Sequence, residues 1–166
     1  KHYAYLKKIS QKYGIPKEII VAIIGVETNY GKNKGQFVAI DAIATLAFYY
    51  PLRHTYFKSE FASLLKLAHK QKWNLREIKG SYAGALGIPQ FMPSSYTSYA
   101  LSHKGTQPNL LNSEKDSIIS IAHYLKKRGK WQPKQPIIQE LKLNKKQQLA
   151  LKKIMKNQEI RSISKA

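Results

Sequence analysis

The strongest constraint in this chain is a short apolar stretch that ends in an acid. From Ile19 to Val26 nearly every residue is apolar, and Glu27 follows directly. Helical spacing puts Ile20, Ile23, Ile24 and Glu27 on one stripe. A helix that is apolar on every side belongs inside a fold, so the sequence predicts a domain of helices packed around this segment. The segment is far too short to span a bilayer. Glu27 is expected to project from the end of a buried helix. Burial and the negative end of the helix dipole would both favour a neutral carboxyl there, as a general acid requires. The alternative is a structural glutamate neutralised by one of the 29 Lys and Arg residues.

Glycoside hydrolysis ordinarily uses two carboxylates. The other candidates are Glu18, Asp41, Glu60, Glu77, Glu114, Asp116, Glu140 and Glu159. Glu60 and Glu77 lie in charged stretches and read as solvated. Glu114 and Asp116 read as charges that complement the start of a helix. Asp41, within Val38-Ala39-Ile40-Asp41-Ala42-Ile43-Ala44, is the one serious second candidate, and a structural hydrogen bond explains it more simply. The sequence thus offers one good catalytic carboxylate without a clear partner. A reaction that needs only one fits best.

Lys and Arg total 29 against 9 Asp and Glu, for a formal charge of +20. Such a balance attracts polyanions: nucleic acid, anionic lipid or an acidic cell-wall polymer. No helix combines a clustered basic face with a docking motif, so a specific nucleic-acid partner is not expected. The absence of cysteine excludes a disulfide framework and a thiol nucleophile. The first residues, KHYAYLKKIS, lack the apolar core of a signal peptide, and a soluble chain is expected. A length of 166 residues suits one sizeable core.

Punctuation predicts about six helices and little strand. A helix over Tyr3–Tyr13 stops at Gly14, and Pro16 opens the next, which runs to about Tyr30. A third covers Phe37–Tyr50 and ends at Pro51. A fourth covers His54–Gln71, with Phe57, Phe61, Leu64, Leu65 and Ala68 at helical spacing. The Gly- and Pro-rich run Gly80–Gln90 predicts an ordered loop. Pro93 starts another helix, and a polar loop covers Ala100–Asn112. Asn112 or Ser113 caps the next helix, which carries Glu114 and Asp116 early and Lys126-Lys127-Arg128 late. A last helix is expected near Lys145–Asn157.

Three segments together resemble the MltB type, the membrane-bound lytic transglycosylase B family. They are Val26-Glu27-Thr28-Asn29-Tyr30-Gly31, the run Asp41–Pro51, and Lys79-Gly80-Ser81-Tyr82-Ala83-Gly84-Ala85-Leu86-Gly87-Ile88-Pro89-Gln90-Phe91-Met92-Pro93-Ser94-Ser95-Tyr96. The last is the most specific. The resemblance implies a mainly α, lysozyme-like (soluble lytic transglycosylase) fold, with a catalytic domain over 1–131 and a basic C-terminal extension, truncated or partly flexible, over 132–166. It implies cleavage of the β-1,4 bond between N-acetylmuramic acid and N-acetylglucosamine in peptidoglycan. Glu27 would serve as the one acid and base, and 1,6-anhydro ends would result. Ser81, Gln90, Tyr124, Arg53 and Tyr56 stand where the family binds substrate. No cofactor or catalytic metal is implied. Peptidoglycan glycan strands are the expected partner of a monomer in the periplasm or cell envelope. Peripheral or lipid-anchored membrane association through a segment upstream of Lys1 is compatible with it.

Two readings compete: a lysozyme-type hydrolase, and a peptidoglycan-binding domain without catalysis. The sequence also departs from the family. Members often carry an acidic calcium loop after the Pro-Ser-Ser-Tyr helix, but Leu101–Leu110 holds no carboxylate, so no calcium is expected there. Thr28 replaces the usual Ser and keeps the hydroxyl. The family's cleft-lining Tyr-Asn segment has no match after Trp131.

Overall fold

A computed structural model describes residues 1–136 and 142–163. The chain divides into two compact units, Lys1–Pro133 and Lys134–Ala166. The first unit is built from helices α1 (Tyr3–Tyr13), α2 (Lys17–Thr28), α3 (Ala39–Tyr49), α4 (His54–Gln71), α5 (Pro93–Tyr99) and α6 (Glu114–Lys127). A short 3-10 turn, Pro51–Arg53, joins α3 to α4.

These helices form two apolar clusters. One gathers Ile9, Ile15, Ile20, Ile118, Ile119, Ile121 and Ala122 from α1, the α1–α2 turn, α2 and α6. The other gathers Ala39, Ile43, Leu64, Leu67, Leu86, Phe91, Tyr96 and Leu110 from α3, α4, α5 and the loops between α4 and α6. Gly14 closes α1 in the left-handed conformation, at φ +65°. Its carbonyl accepts the indole N–H of Trp131 at 2.8 Å, which staples the end of this unit to the α1–α2 turn.

The third predicted helix starts two residues late. Phe37 and Val38 form strand β1 (Phe37–Val38), which pairs antiparallel with β2 (Lys79–Gly80). Ala39 N–H then donates to the Ile78 carbonyl at 2.8 Å. Pairing with a distant segment overrides the helical pattern. The buried stripe of α4 also differs from the expected one. It consists of Phe57, Glu60, Leu64, Leu67 and Ala68, while Leu65 is exposed. Glu60, read as solvated, is therefore buried. Asp41 moves the other way. It sits on the surface and pairs with Arg76 at 3.2 Å.

Helix α6 is capped by Ser113, whose side chain accepts the Asp116 N–H at 3.2 Å. Glu114 bonds His2 and Lys1 at the surface. Asp116 does more than complement a helix end. It is 3% exposed, and it gathers the Leu101–Leu110 loop by accepting from His103 N–H at 2.9 Å, Asn109 N–H at 2.8 Å and His103 Nδ1 at 2.6 Å. Burial alone would push its carboxyl up, but these donors outweigh burial and hold it below the ordinary aspartate range. Tyr96 pins the same loop, donating to the Pro108 carbonyl at 3.0 Å and accepting Leu110 N–H at 2.9 Å. Burial pushes the Tyr96 hydroxyl up to about 12, so it stays a donor at any working pH.

The second unit contains α7 (Lys145–Ile163), which runs past the predicted end. Asn144 and Gln147 form a reciprocal capping box: Gln147 N–H donates to Asn144 Oδ1 at 2.9 Å, and Asn144 N–H donates to Gln147 Oε1 at 3.0 Å.

A group whose folded pKa is depressed stabilises above its unfolded pKa, and that stability is lost as pH falls through the folded value. Asp116→Asn is therefore expected to cost about 1–3 kcal/mol at neutral pH. The gap to the parent should shrink as pH drops below about 4. Urea unfolding of both proteins across pH measures this.

Candidate active site

The end of α2 is where the sequence reading needs its main correction. Ile20 is fully buried, and Ile23 and Ile24 are half-buried, but Ala22, Val26 and Glu27 face solvent. Val26 is 86% exposed. The helix is thus packed on one side only, and Glu27 opens onto a cleft rather than into a core. The other early alternative fails as well, since no base pairs with Glu27 among the described residues.

Thr28, the next residue, is 1% exposed. Its hydroxyl donates to the carbonyls of Ile24 at 3.2 Å and Ile88 at 3.0 Å, and accepts Gly31 N–H at 3.0 Å. Asn29 and Tyr30 then turn the chain back with φ of +47° and +58°. This clamp ties the helix end that carries Glu27 to the Gly-rich segment.

That segment is folded tightly on itself. Leu86 bridges to both Gly80 and Phe91. Gly84, at φ +82°, lies so close to Ile43 that a Cβ would sit 2.1 Å from Ile43 Cγ1. Within it, Ser81 Oγ accepts the N–H groups of Ala83 at 3.2 Å and Ala85 at 3.0 Å. Its own hydrogen stays available to the cleft. Gln90 is held at φ +50°, with its amide nitrogen donating to Gly87 O at 2.8 Å and Lys34 O at 3.3 Å. Its side-chain carbonyl has no hydrogen-bond partner among the described residues, so only that end of the amide is open to the cleft.

Two cavities meet at Glu27 and Gln90. One, of about 290 Å³, is lined by Ile23, Phe91, Met92, Ser95, Tyr124 and Leu125 among others. The second, of about 460 Å³, is lined by Asn33, Gln36, Phe37, Ser81 and Tyr82 among others. Glu27, Gln90, Ser81 and Tyr124 are therefore brought together. Tyr124 is held by ring contacts with Phe91 and Tyr99, each at 5.2 Å between centroids. Arg53 and Tyr56 line neither cavity. They form a pair of their own, with the guanidinium 4.6 Å from the Tyr56 ring centre. Burial pushes the Tyr56 hydroxyl up, and the nearby Glu60 carboxylate adds to this.

Residue-level reading missed Phe37, Tyr82, Met92 and Ser95 as lining residues. It also missed the burial of Glu60, which accepts Ser94 N–H at 2.9 Å and the Ser94 hydroxyl at 2.6 Å. A signal existed: Glu60 falls on the stripe of Phe57, Leu64 and Leu67.

Across residues 1–166 the chain matches the transglycosylase SLT domain. The chain belongs to that family. It is 45% identical over 124 residues to membrane-bound lytic murein transglycosylase B of Escherichia coli (strain K12), covering 75% of this chain and 34% of that protein. The SLT-domain chain thus spans about a third of the length of this curated relative. Its fold matches E. coli lytic transglycosylase Slt35 in complex with calcium, with a TM-score of 0.77 at 43% identity, over 81% of this chain and 43% of that one. It also matches SltB3 from Pseudomonas aeruginosa in complex with NAG-NAM-pentapeptide, with a TM-score of 0.78 at 31% identity, over 87% and 38%. The mainly helical fold expected from the sequence is that of the soluble lytic transglycosylases.

Calcium does not fit the Leu101–Leu110 stretch of this SLT domain. The stretch has no carboxylate of its own. The one carboxylate that reaches it, Asp116, is surrounded by N–H donors from His103 and Asn109, which point positive charge where a cation would sit. No cluster of three metal-ligating acids or histidines occurs among the described residues.

Two measurements follow from this geometry. Melting temperature is expected to be the same with added calcium and with a chelator, and a rise with calcium would count against the assignment. Thr28→Val keeps the side-chain shape but leaves Gly31 N–H and the Ile88 carbonyl unpaired, at a cost of about 2–3 kcal/mol in chemical unfolding. Thr28→Ser should recover most of that.

Proposed function

We propose that this chain carries the reactive site of a peptidoglycan lytic transglycosylase. The observation that carries this reading is that Glu27 is the one carboxylate lining either cavity among the described residues. Each other acid with a described partner is committed elsewhere. Asp41 is tied to Arg76, Glu60 to Ser94 and Asp116 to His103. Among the described residues neither cavity offers a second carboxylate to a two-carboxylate hydrolysis. An intramolecular displacement needs only one.

In that reaction the Glu27 carboxyl gives its proton to the oxygen bridging N-acetylmuramic acid and N-acetylglucosamine. The bond from C1 to that oxygen breaks, and the N-acetylglucosamine leaves with a free hydroxyl. The muramoyl N-acetyl carbonyl supports the electron-poor C1. The C6 hydroxyl of the same muramoyl residue then bonds to C1, and Glu27, now a carboxylate, takes its proton. The product is a 1,6-anhydro ring. No water is consumed, and the acid is restored.

Glu27 stands where the two cavities join, which supports a cleaved bond at the junction with sugars on either side. The Ser81 hydroxyl and the Gln90 carbonyl offer polar contacts to the sugars, and Tyr124 offers an aromatic face. Arg53, stacked on Tyr56 away from these cavities, suits the carboxylates of the peptide stem. The NAG-NAM-pentapeptide bound by SltB3 supports a stem-bearing glycan as substrate. The charge of +20 favours an anionic wall polymer. Location in the periplasm or cell envelope belongs to the same reading. No described helix is long and apolar enough to cross a membrane.

Digestion of purified peptidoglycan, followed by mass spectrometry, tests the reading. The parent protein should release products lighter by one water than reducing ends. Glu27→Gln should lower the rate by roughly 10³-fold or more. Reducing ends would make this a lysozyme-type hydrolase. Binding without release would make it a recognition domain.

A further inference from the structure

Of the two buried carboxylates among the described residues, Asp116 has a histidine partner and Glu60 has no charged one. Glu60 is 3% exposed, and no Lys, Arg or His pairs with it among the described residues. In a chain with 29 basic residues that isolation is costly, because a buried carboxylate is tolerated only when its oxygens are hydrogen-bonded. Both oxygens accept from Ser94, and the Tyr56 hydroxyl also lies beside the carboxylate. One accepts Ser94 N–H at 2.9 Å, and the other accepts the Ser94 hydroxyl at 2.6 Å. Glu60 lies on α4 and Ser94 in the first turn of α5, so the carboxylate fixes one helix against the other.

What that grip fixes is a wall of the cleft. Met92 and Ser95, on either side of Pro93-Ser94, line the smaller cavity with Glu27 and Tyr124. Tyr56 lies one helical turn before Glu60, so its side chain stands on the same face of α4. Its phenol feels both Glu60 and Tyr124. Arg53 in turn stacks on Tyr56. Glu60 therefore adjoins both the Met92–Ser95 strip, which lines the cavity, and the Arg53–Tyr56 pair, while itself remaining buried.

We infer that Glu60 is a positioning residue, which sets the cleft wall opposite Glu27 through its two hydrogen bonds to Ser94. The inference rests on the reading of the cleft as a glycan site. Its effect falls on glycan binding rather than on proton transfer, because Glu27 is anchored separately through Thr28.

The test uses the Glu27→Gln protein, which lacks the proposed acid, and a β-1,4-linked N-acetylglucosamine tetramer as the probe, measured by calorimetry. Adding Glu60→Ala should weaken Kd by roughly tenfold. Adding Glu60→Gln instead should restore most of the affinity, since its amide can accept Ser94 N–H and donate to the Ser94 hydroxyl. In the active protein, Glu60→Ala should raise KM by a similar factor and leave kcat within about twofold. A purely structural role would lower the melting temperature and the active fraction without moving Kd or KM, and that result overturns the inference. Should Glu60→Ala fail to fold, Ser94→Ala removes one of the two bonds. It should raise Kd by about threefold, and an unchanged Kd overturns the inference equally. Absence of tetramer binding by Glu27→Gln alone would remove the glycan reading and this inference together, a pattern distinct from equal binding by all variants.

Discussion

A single threonine hydroxyl connects the proposed reactive acid to the segment that surrounds it. Thr28 ends α2, and its oxygen serves three backbone groups: it donates to Ile24 and Ile88 and accepts from Gly31. Glu27 is the preceding residue, so its position relative to Gln90 and Ser81 follows from that contact. The Gly-rich segment can receive the clamp because Gly84 permits close approach to Ile43, and Gly87 permits close approach to the Leu110 carbonyl. Without those two approaches Ile88 would stand elsewhere, and the cleft would have no defined width at the acid.

Two apolar clusters rather than one make such a cleft. Cluster and cavity share residues at the boundary. Ile121 is buried in the α1, α2 and α6 cluster, and Phe91 in the other, yet both line the cavity beside Glu27. Positive charge plays no part in this lining. Neither cavity is bordered by Lys or Arg, so the net charge of +20 lies outside this lining.

Much of this was legible in the sequence, for identifiable reasons. Helices α1 and α4 have the predicted ends because Gly14 and Pro51 leave the backbone little choice. The candidate acid, Ser81, Gln90 and Tyr124 do converge. What the sequence could not convey is empty space. Ile23, Phe91 and Leu125 are as apolar as core residues, and nothing in their order distinguishes a cleft wall from an interior. The burial assigned to Glu27 failed for that reason. Glu60 failed in the opposite sense, since Lys58 and Ser59 beside it suggested solvent, whereas its helical neighbours Phe57 and Leu64 were the ones that mattered. The β1–β2 pair depends on a partner far along the chain, which local pattern does not encode.

The internal bonds of Ser81 and Gln90 leave each with a single capability. Ser81 Oγ already accepts two N–H groups, so toward the cleft it can only give a hydrogen. The Gln90 nitrogen is already committed, so toward the cleft that side chain can only receive one. The two line the same cavity. A sugar hydroxyl can rotate to suit either partner. An acetamido group cannot, because its carbonyl and its N–H sit at fixed opposite ends. On the proposed reading of the cleft as a glycan site, a pair with this polarity would give the strand a direction, admitting an amino sugar with its acetamide turned one way and leaving both partners unmet when the strand enters reversed.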